Sequence, residues 1–198
     1  MGLGRGHELS NFARNETLVG VRRKAAQNAR VVVRNGLRFA KRAGQTISDY
    51  RSKAEKGDAV AQYMLGRSYR VGEGVPQDST QAVYWYRKAA EQGHANAQNT
   101  LGAFYNSGEG TPQDYKQAVY WYRKAAEQGH ATAQYNLGNR YYNGEGVTKD
   151  GNIALYWYEK AIKNEDGTLD EQDKKDTHER IERLKKDGYS SSIPTNKK

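Results

Sequence analysis

The three tryptophans, Trp85, Trp121 and Trp157, stand 36 residues apart. The phrase AVYWYRKAAEQGHA fills 82–95 and recurs at 118–131, and ALYWYEKA follows at 154–161. Leu65/Leu101/Leu137, Gly66/Gly102/Gly138, Tyr69/Tyr105/Tyr141 and Ala61/Ala97/Ala133 keep the same step with no insertion. A fixed period of this size marks a stacked-repeat architecture. No single unit of it can bury its own apolar face, so neighbours must stack into one continuous core.

Each unit reads as two helices. Helix A runs roughly over 58–71, 94–107 and 130–143, and helix B over 79–92, 115–128 and 151–163. A G-E-G-x-x-x-D link joins them. Its glycines tolerate positive φ and end helix A. Asp78, Asp114 and Asp150 then stand where an acidic side chain accepts from a free first-turn N–H of helix B. Gln81 and Gln117 lie three residues on and complete a capping-box pattern. The third unit has Ile153 there and Thr148 in place of proline, which predicts a looser turn.

The pattern AxxGxxxAQxxLGxxYxxGEGxxxDxxxAxxWYxKA, with small variations at 54–89, 90–125 and 126–161, resembles the Sel1-like repeat family, relatives of the tetratricopeptide repeats. The resemblance implies an all-α fold, a right-handed α-solenoid of antiparallel helix pairs. It also implies a protein–protein interaction scaffold, in roles such as adaptor, bacterial regulator, host-interaction factor or toxin-immunity protein.

The expected organisation is a flexible N-terminus at 1–17, a basic helix and degenerate half-repeat at 18–53, and three repeats over 54–161. A capping helix at 162–187 and a disordered tail at 188–198 follow. Shifting back one period sets Gln45, Ile47, Tyr50, Arg51 and Ala54 opposite Gln81, Val83, Tyr86, Arg87 and Ala90. Thr168 or Asp170 is the expected cap of the last helix, whose mostly polar surface suits a solenoid end.

On helix A, Ala61, Leu65 and Tyr69 share the repeated, packing face, since a helix turns about 100° per residue. The opposite face varies between units. It supplies Tyr63, Arg67 and Arg70 from the first, Asn96, Asn99 and Asn106 from the second, and Thr132, Tyr135, Asn139, Tyr142 and Asn143 from the third. In tetratricopeptide relatives this face lines a concave groove that binds protein segments. The chemistry fits independently. Asn pairs with extended backbone, Tyr offers rigid amphipathic area, and an Arg pair favours a carboxylate.

The other signals are weaker. The 36-residue recurrence assigns the Trp-Tyr pairs to the core rather than to stacking platforms for bases. His94 and His130 share a column with Asp58. Successive helices pack about 8–10 Å apart, too wide for two direct metal ligands. Asn164, Asp166, Gly167 and Asp173 partly resemble a calcium loop, but its first ligand position is Ile162. No GxSxG, Walker or Rossmann glycine pattern occurs. There is no cysteine. The β-lactam hydrolysis described for cysteine-rich members of the family is therefore not carried over. The expectation is no catalytic residue, metal or cofactor.

Charge is uneven. Residues 1–50 carry a net +7 of the chain's +9. Within 18–43, Arg22, Arg23, Lys24, Arg30, Arg34, Arg38, Lys41 and Arg42 surround one apolar stripe. That segment supports a second reading, a binder of an anionic surface such as membrane or nucleic acid. No apolar run approaches the ~18–20 residues that span a bilayer, and no secretory pattern opens the chain. The expected compartment is the cytoplasm.

Overall fold

The computed structural model describes residues 46–191. The basic face of Arg22, Arg23, Lys24, Arg30, Arg34, Arg38, Lys41 and Arg42 lies outside them, with the rest of 1–45 and with 192–198. The described residues form helices and no strand. After a helical run over 46–55 (α1) come α2 (Ala59–Val71), α3 (Ser79–Glu91), α4 (Ala95–Ser107), α5 (Tyr115–Glu127), α6 (Ala131–Asn143), α7 (Gly151–Lys163) and α8 (Glu171–Lys186). α2/α3, α4/α5 and α6/α7 are the three A/B pairs, and each bound falls within one residue of the range read from the 36-residue pattern.

Local chemistry sets these bounds. Asp78, Asp114 and Asp150 accept from the amides of Gln81, Gln117 and Ile153 at 2.9, 3.0 and 3.0 Å. Helices α2, α4 and α6 end on Gly72, Gly108 and Gly144 at φ of 74°, 77° and 79°, where a side chain would strain the backbone. The capping box expected at Gln81 and Gln117 does not close. The amides of Asp78, Asp114 and Asp150 donate instead to the carbonyls of Tyr69, Tyr105 and Tyr141 at 2.9, 2.9 and 3.0 Å. Helix A thus supplies the acceptor that a glutamine side chain would have offered. The third unit keeps both Asp150 bonds despite Ile153, although Lys149 there does not make the bond that Gln77 and Gln113 donate to the carbonyls of Arg70 and Asn106.

The core is a stack of repeated columns. Leu65, Leu101 and Leu137 are fully buried, as are Tyr86 and Tyr158, with Tyr122 nearly so. Full burial of a side chain of this size contributes about 1.5–3 kcal/mol. Each tyrosine ring of helix B lies on a helix A glycine. A Cβ at Gly102 would stand 2.7 Å from the Tyr122 ring, and one at Gly138 would stand 2.7 Å from Tyr158. Only hydrogen there lets the two helices of a pair approach so closely.

Polar ladders run through the same stack. Gln62, Gln98 and Gln134 are buried and donate to the carbonyls of Ala54, Ala90 and Ala126 at 3.0, 3.0 and 3.1 Å. Arg51, Arg87 and Arg123 donate to the hydroxyls of Tyr69, Tyr105 and Tyr141 at 3.0, 2.8 and 2.5 Å. The first member of each ladder comes from α1, which stacks Ile47 and Ala54 on Leu65 as a helix B would.

At the other end α8 buries Thr177, Ile181 and Leu184, the last two in the core of the third pair. Asp170 caps it, accepting from Asp173 at 2.7 Å. Thr168 is engaged elsewhere, on the third helix A. Residues 188–191, read from sequence as the start of a tail, lie against the start of α7, where Ser190 donates to Asn152 at 2.9 Å.

Candidate protein-binding face

The face of helix A opposite the repeated columns carries the candidate residues of all three units, in three different states. In the first unit Arg67 and Arg70 are exposed. Tyr63 is half-buried, its ring stacked on His94 at 4.7 Å and 5.6 Å from Tyr86. Both arginines act on the Tyr86 hydroxyl. Burial pushes that phenol up to about 12, and Arg70, then Arg67, work against the rise. Val60 and Val71 flank this region and rank among the exposed large apolar side chains.

In the second unit Asn96 is exposed and its Oδ1 lies 2.9 Å from His130 Nε2. Asn99 accepts from Asn136 at 3.2 Å, and Asn106 accepts a short bond from Arg140. Ala103 and Ser107 are exposed between and beside them.

In the third unit the chain covers its own face. The Thr132 amide donates to Thr168 Oγ1 at 3.2 Å, and its hydroxyl donates to the Thr168 carbonyl. Tyr135 donates to Asp176 of α8 at 2.7 Å. The Arg180 guanidinium sits over the Tyr142 ring at 5.3 Å, and Asn139 accepts from Tyr158 at 2.6 Å. Asn143 is exposed and donates to Glu145 at 3.3 Å. Thr132, Tyr135 and Asn139 therefore spend polar groups within the chain, and Tyr142 its ring face. The exposed part of the face belongs mainly to the first two units.

Two residues weighed in the sequence only as metal ligands have a different place. His94 and His130 are the N-caps of α4 and α6, each Nδ1 accepting from the amide of Ala97 or Ala133 at 3.2 or 3.3 Å. Asp58 caps α2 in the same way at 2.7 Å. Its presence in the histidine column was the available signal. An accepting Nδ1 puts the neutral ring's proton on Nε2, so His130 donates to Asn96 and ties the second repeat to the third. Burial lowers both histidines below the usual value, with the Asp166 carboxylate opposing this at His130. Among the described residues no group of three or more His, Asp or Glu side chains could hold a metal ion. No helix there is long and apolar enough to cross a membrane.

Three consecutive stretches, 59–94, 95–130 and 131–166, each match the Sel1 repeat and together cover more than half of the chain. The chain belongs to the Sel1 repeat family. Its repeats generally mediate protein–protein interaction on a typically non-catalytic scaffold. The boundaries matched start at helix A, five residues after those read from the sequence, which shifts the phase and leaves the period unchanged. Among solved structures, a protective antigen of uropathogenic Escherichia coli displaying an SLR fold is 46% identical over 59% of this chain, with a TM-score of 0.58. A Sel1 repeat protein from Oxalobacter formigenes is 34% identical over 77% of this chain, with a TM-score of 0.68. Cysteine rich protein B of Helicobacter pylori, 23% identical over 69% of this chain and covered over 95% of its own, shares the fold at a TM-score of 0.51. The chain spans 25% of the E. coli protein and 60% of the Oxalobacter protein. No curated protein sequence matches it significantly.

Proposed function

We propose that the chain is a binding scaffold that holds a protein segment along the helix A face of its first two repeats. One observation carries the reading. The third helix A already receives polypeptide on this face, through Thr132–Thr168, Tyr135–Asp176 and Tyr142–Arg180. The equivalent columns of the first two units offer Arg67, Arg70, Asn96 and Ala103 to solvent. A segment docking there meets amide, guanidinium and aromatic groups on rigid helices, so little side-chain order is lost on binding. On the same face the side chains of Asn99 and Asn106 are held in place by Asn136 and Arg140.

Partner capture by the full chain separates this face from the basic segment. Replacing Arg67 and Asn96 by Ala is expected to abolish capture, while replacing Arg22, Arg23 and Lys24 by Gln leaves it intact. The reverse pattern, with steep loss as salt rises, places binding on the basic segment and refutes the proposal.

A further inference from the structure

Asn96, Asn99 and Asn106 share one face of α4, and each has its carboxamide oxygen engaged within the chain. Asn96 Oδ1 lies 2.9 Å from His130 Nε2, Asn99 Oδ1 accepts from Asn136 at 3.2 Å, and Asn106 Oδ1 accepts from Arg140. Two of these partners fix the orientation. Arg140 can only donate, and His130, whose Nδ1 accepts from the Ala133 amide, carries its proton on Nε2. Turning either carboxamide over would set N–H against N–H. Among the described residues no hydrogen bond uses the Nδ2 group of any of the three. The buried side-chain donors left without a partner are Trp121 Nε1, Trp157 Nε1 and Arg140 Nε, so the Nδ2 groups of Asn99 and Asn106 reach solvent, and Asn96 is itself exposed. The side chains of this row donate outward and have no oxygen left to accept.

The third repeat bonds in the same direction. Thr132 and Tyr135 make three hydrogen bonds to Thr168 and to Asp176 of α8, and helix A donates in all three. The first repeat adds apolar surface. It holds Val60, Tyr63 and Val71 in the columns of Asn96, Asn99 and Ser107. Val60 is 60% and Val71 50% exposed, and Tyr63 is half-buried.

We infer that this face takes a proline-rich segment in the polyproline II conformation. Its carbonyl oxygens accept from Asn96, Asn99 and Asn106, and its rings lie on Val60, Tyr63 and Val71. A β-strand turns the N–H and C=O of one residue to the same side, so it would press N–H groups onto donors. A polyproline II chain leaves its carbonyls free, and proline removes the N–H. The spacing agrees. Asn99 and Asn106 are seven residues apart, about 10 Å along α4, and every third residue of polyproline II repeats at about 9 Å. The inference rests on the proposed binding face and names what it holds.

The test selects binders to the full chain from a library of short synthetic peptides with acetylated N-termini and amidated C-termini. Face binders are those that crosslink to benzoylphenylalanine placed at Ser107, an exposed position of α4. They are expected to be enriched in proline. N-methylation of each other residue in turn leaves their affinity within about threefold, since no N–H is read. Asn99→Asp and Asn106→Asp each weaken them by about tenfold, the scale of one acceptor left without a donor. Both substitutions keep the oxygen that Asn136 or Arg140 uses, so Tm is expected to stay unchanged and the loss is one of contact. Face binders without proline enrichment, tenfold losses on N-methylation, or unchanged affinity for both Asp chains overturn the polyproline II occupant and leave the binding face standing. A selection with no binder that crosslinks at position 107 overturns the binding face, and this occupant with it.

Discussion

Replacing the helix A glycines one at a time by alanine gives a graded series, because the three sites differ in clearance. A Cβ at Gly66 would meet Tyr86 ring carbons at 3.0–3.2 Å, whereas one at Gly102 or Gly138 would meet the facing ring at 2.7 Å. Carbon pairs are most favourable at about 3.5–4.0 Å. The Gly66 contact is tight and the other two are overlaps. Tyr86, Tyr122 and Tyr158 are all buried, so the clearance at the glycine decides the cost. Against this, Ala is favoured over Gly inside a helix by about 0.8–1 kcal/mol. Overpacking a filled core costs about 1–3 kcal/mol. The balance is close to zero for Gly66→Ala and about 1–2 kcal/mol of destabilisation for Gly102→Ala and Gly138→Ala. In a chain of this length ~1 kcal/mol lowers Tm by roughly 2–4 °C. Thermal unfolding followed by far-UV circular dichroism reads the order directly. Equal loss at all three sites, or a gain at Gly102, refutes the reading that these glycines set how closely helix A and helix B of a repeat approach.

Acid sensitivity follows from the histidine caps. His94 and His130 accept amide N–H bonds only when neutral, and a charged ring at a helix N-terminus opposes the dipole. Their pKa values in the fold lie below the 6.5 of a free histidine, despite Asp166 facing His130. The unfolded chain thus takes up protons first. Stability is full above about pH 6.5 and falls as the pH drops toward the folded values. Asn caps without titrating, so His94→Asn/His130→Asn is expected to flatten the Tm profile between neutral and mildly acid pH. An unchanged slope contradicts the capping role. Asp114→Ala removes the cap of α5 and is expected to cost about 1 kcal/mol in urea unfolding, with no loss attributable to Gln117. Tyr135→Phe removes the bond to Asp176 and should speed amide exchange in α8 more than in α5.

Much of the fold was legible because its determinants are local and recur. The step from Trp85 to Trp121 to Trp157 gave the number of units, and Asp78, Asp114 and Asp150 with the link glycines gave the helix ends. The opposite face was legible as a set of columns and not as a surface. Tyr135 and Tyr142 vary as freely as Arg67 does. Only the packing of α8, a segment without the repeat's spacing, decides that they are spent internally. The histidine caps were missed because a His ring accepts an amide bond only in one tautomer and at one backbone angle. Residue type suggested a metal ligand before it suggested a cap.

The central claim is that partners meet the helix A face of the first two repeats. Site-specific photo-crosslinking tests it most directly, with benzoylphenylalanine placed in the full chain at Ser107 of α4 or at Tyr120 of α5. Both positions are exposed, and they lie on helices of opposite role in the same repeat. The expected result is a protein adduct from position 107 that disappears in the Arg67→Ala/Asn96→Ala background, and none from position 120. An adduct from position 120 alone, or one from position 107 that survives those substitutions, contradicts it.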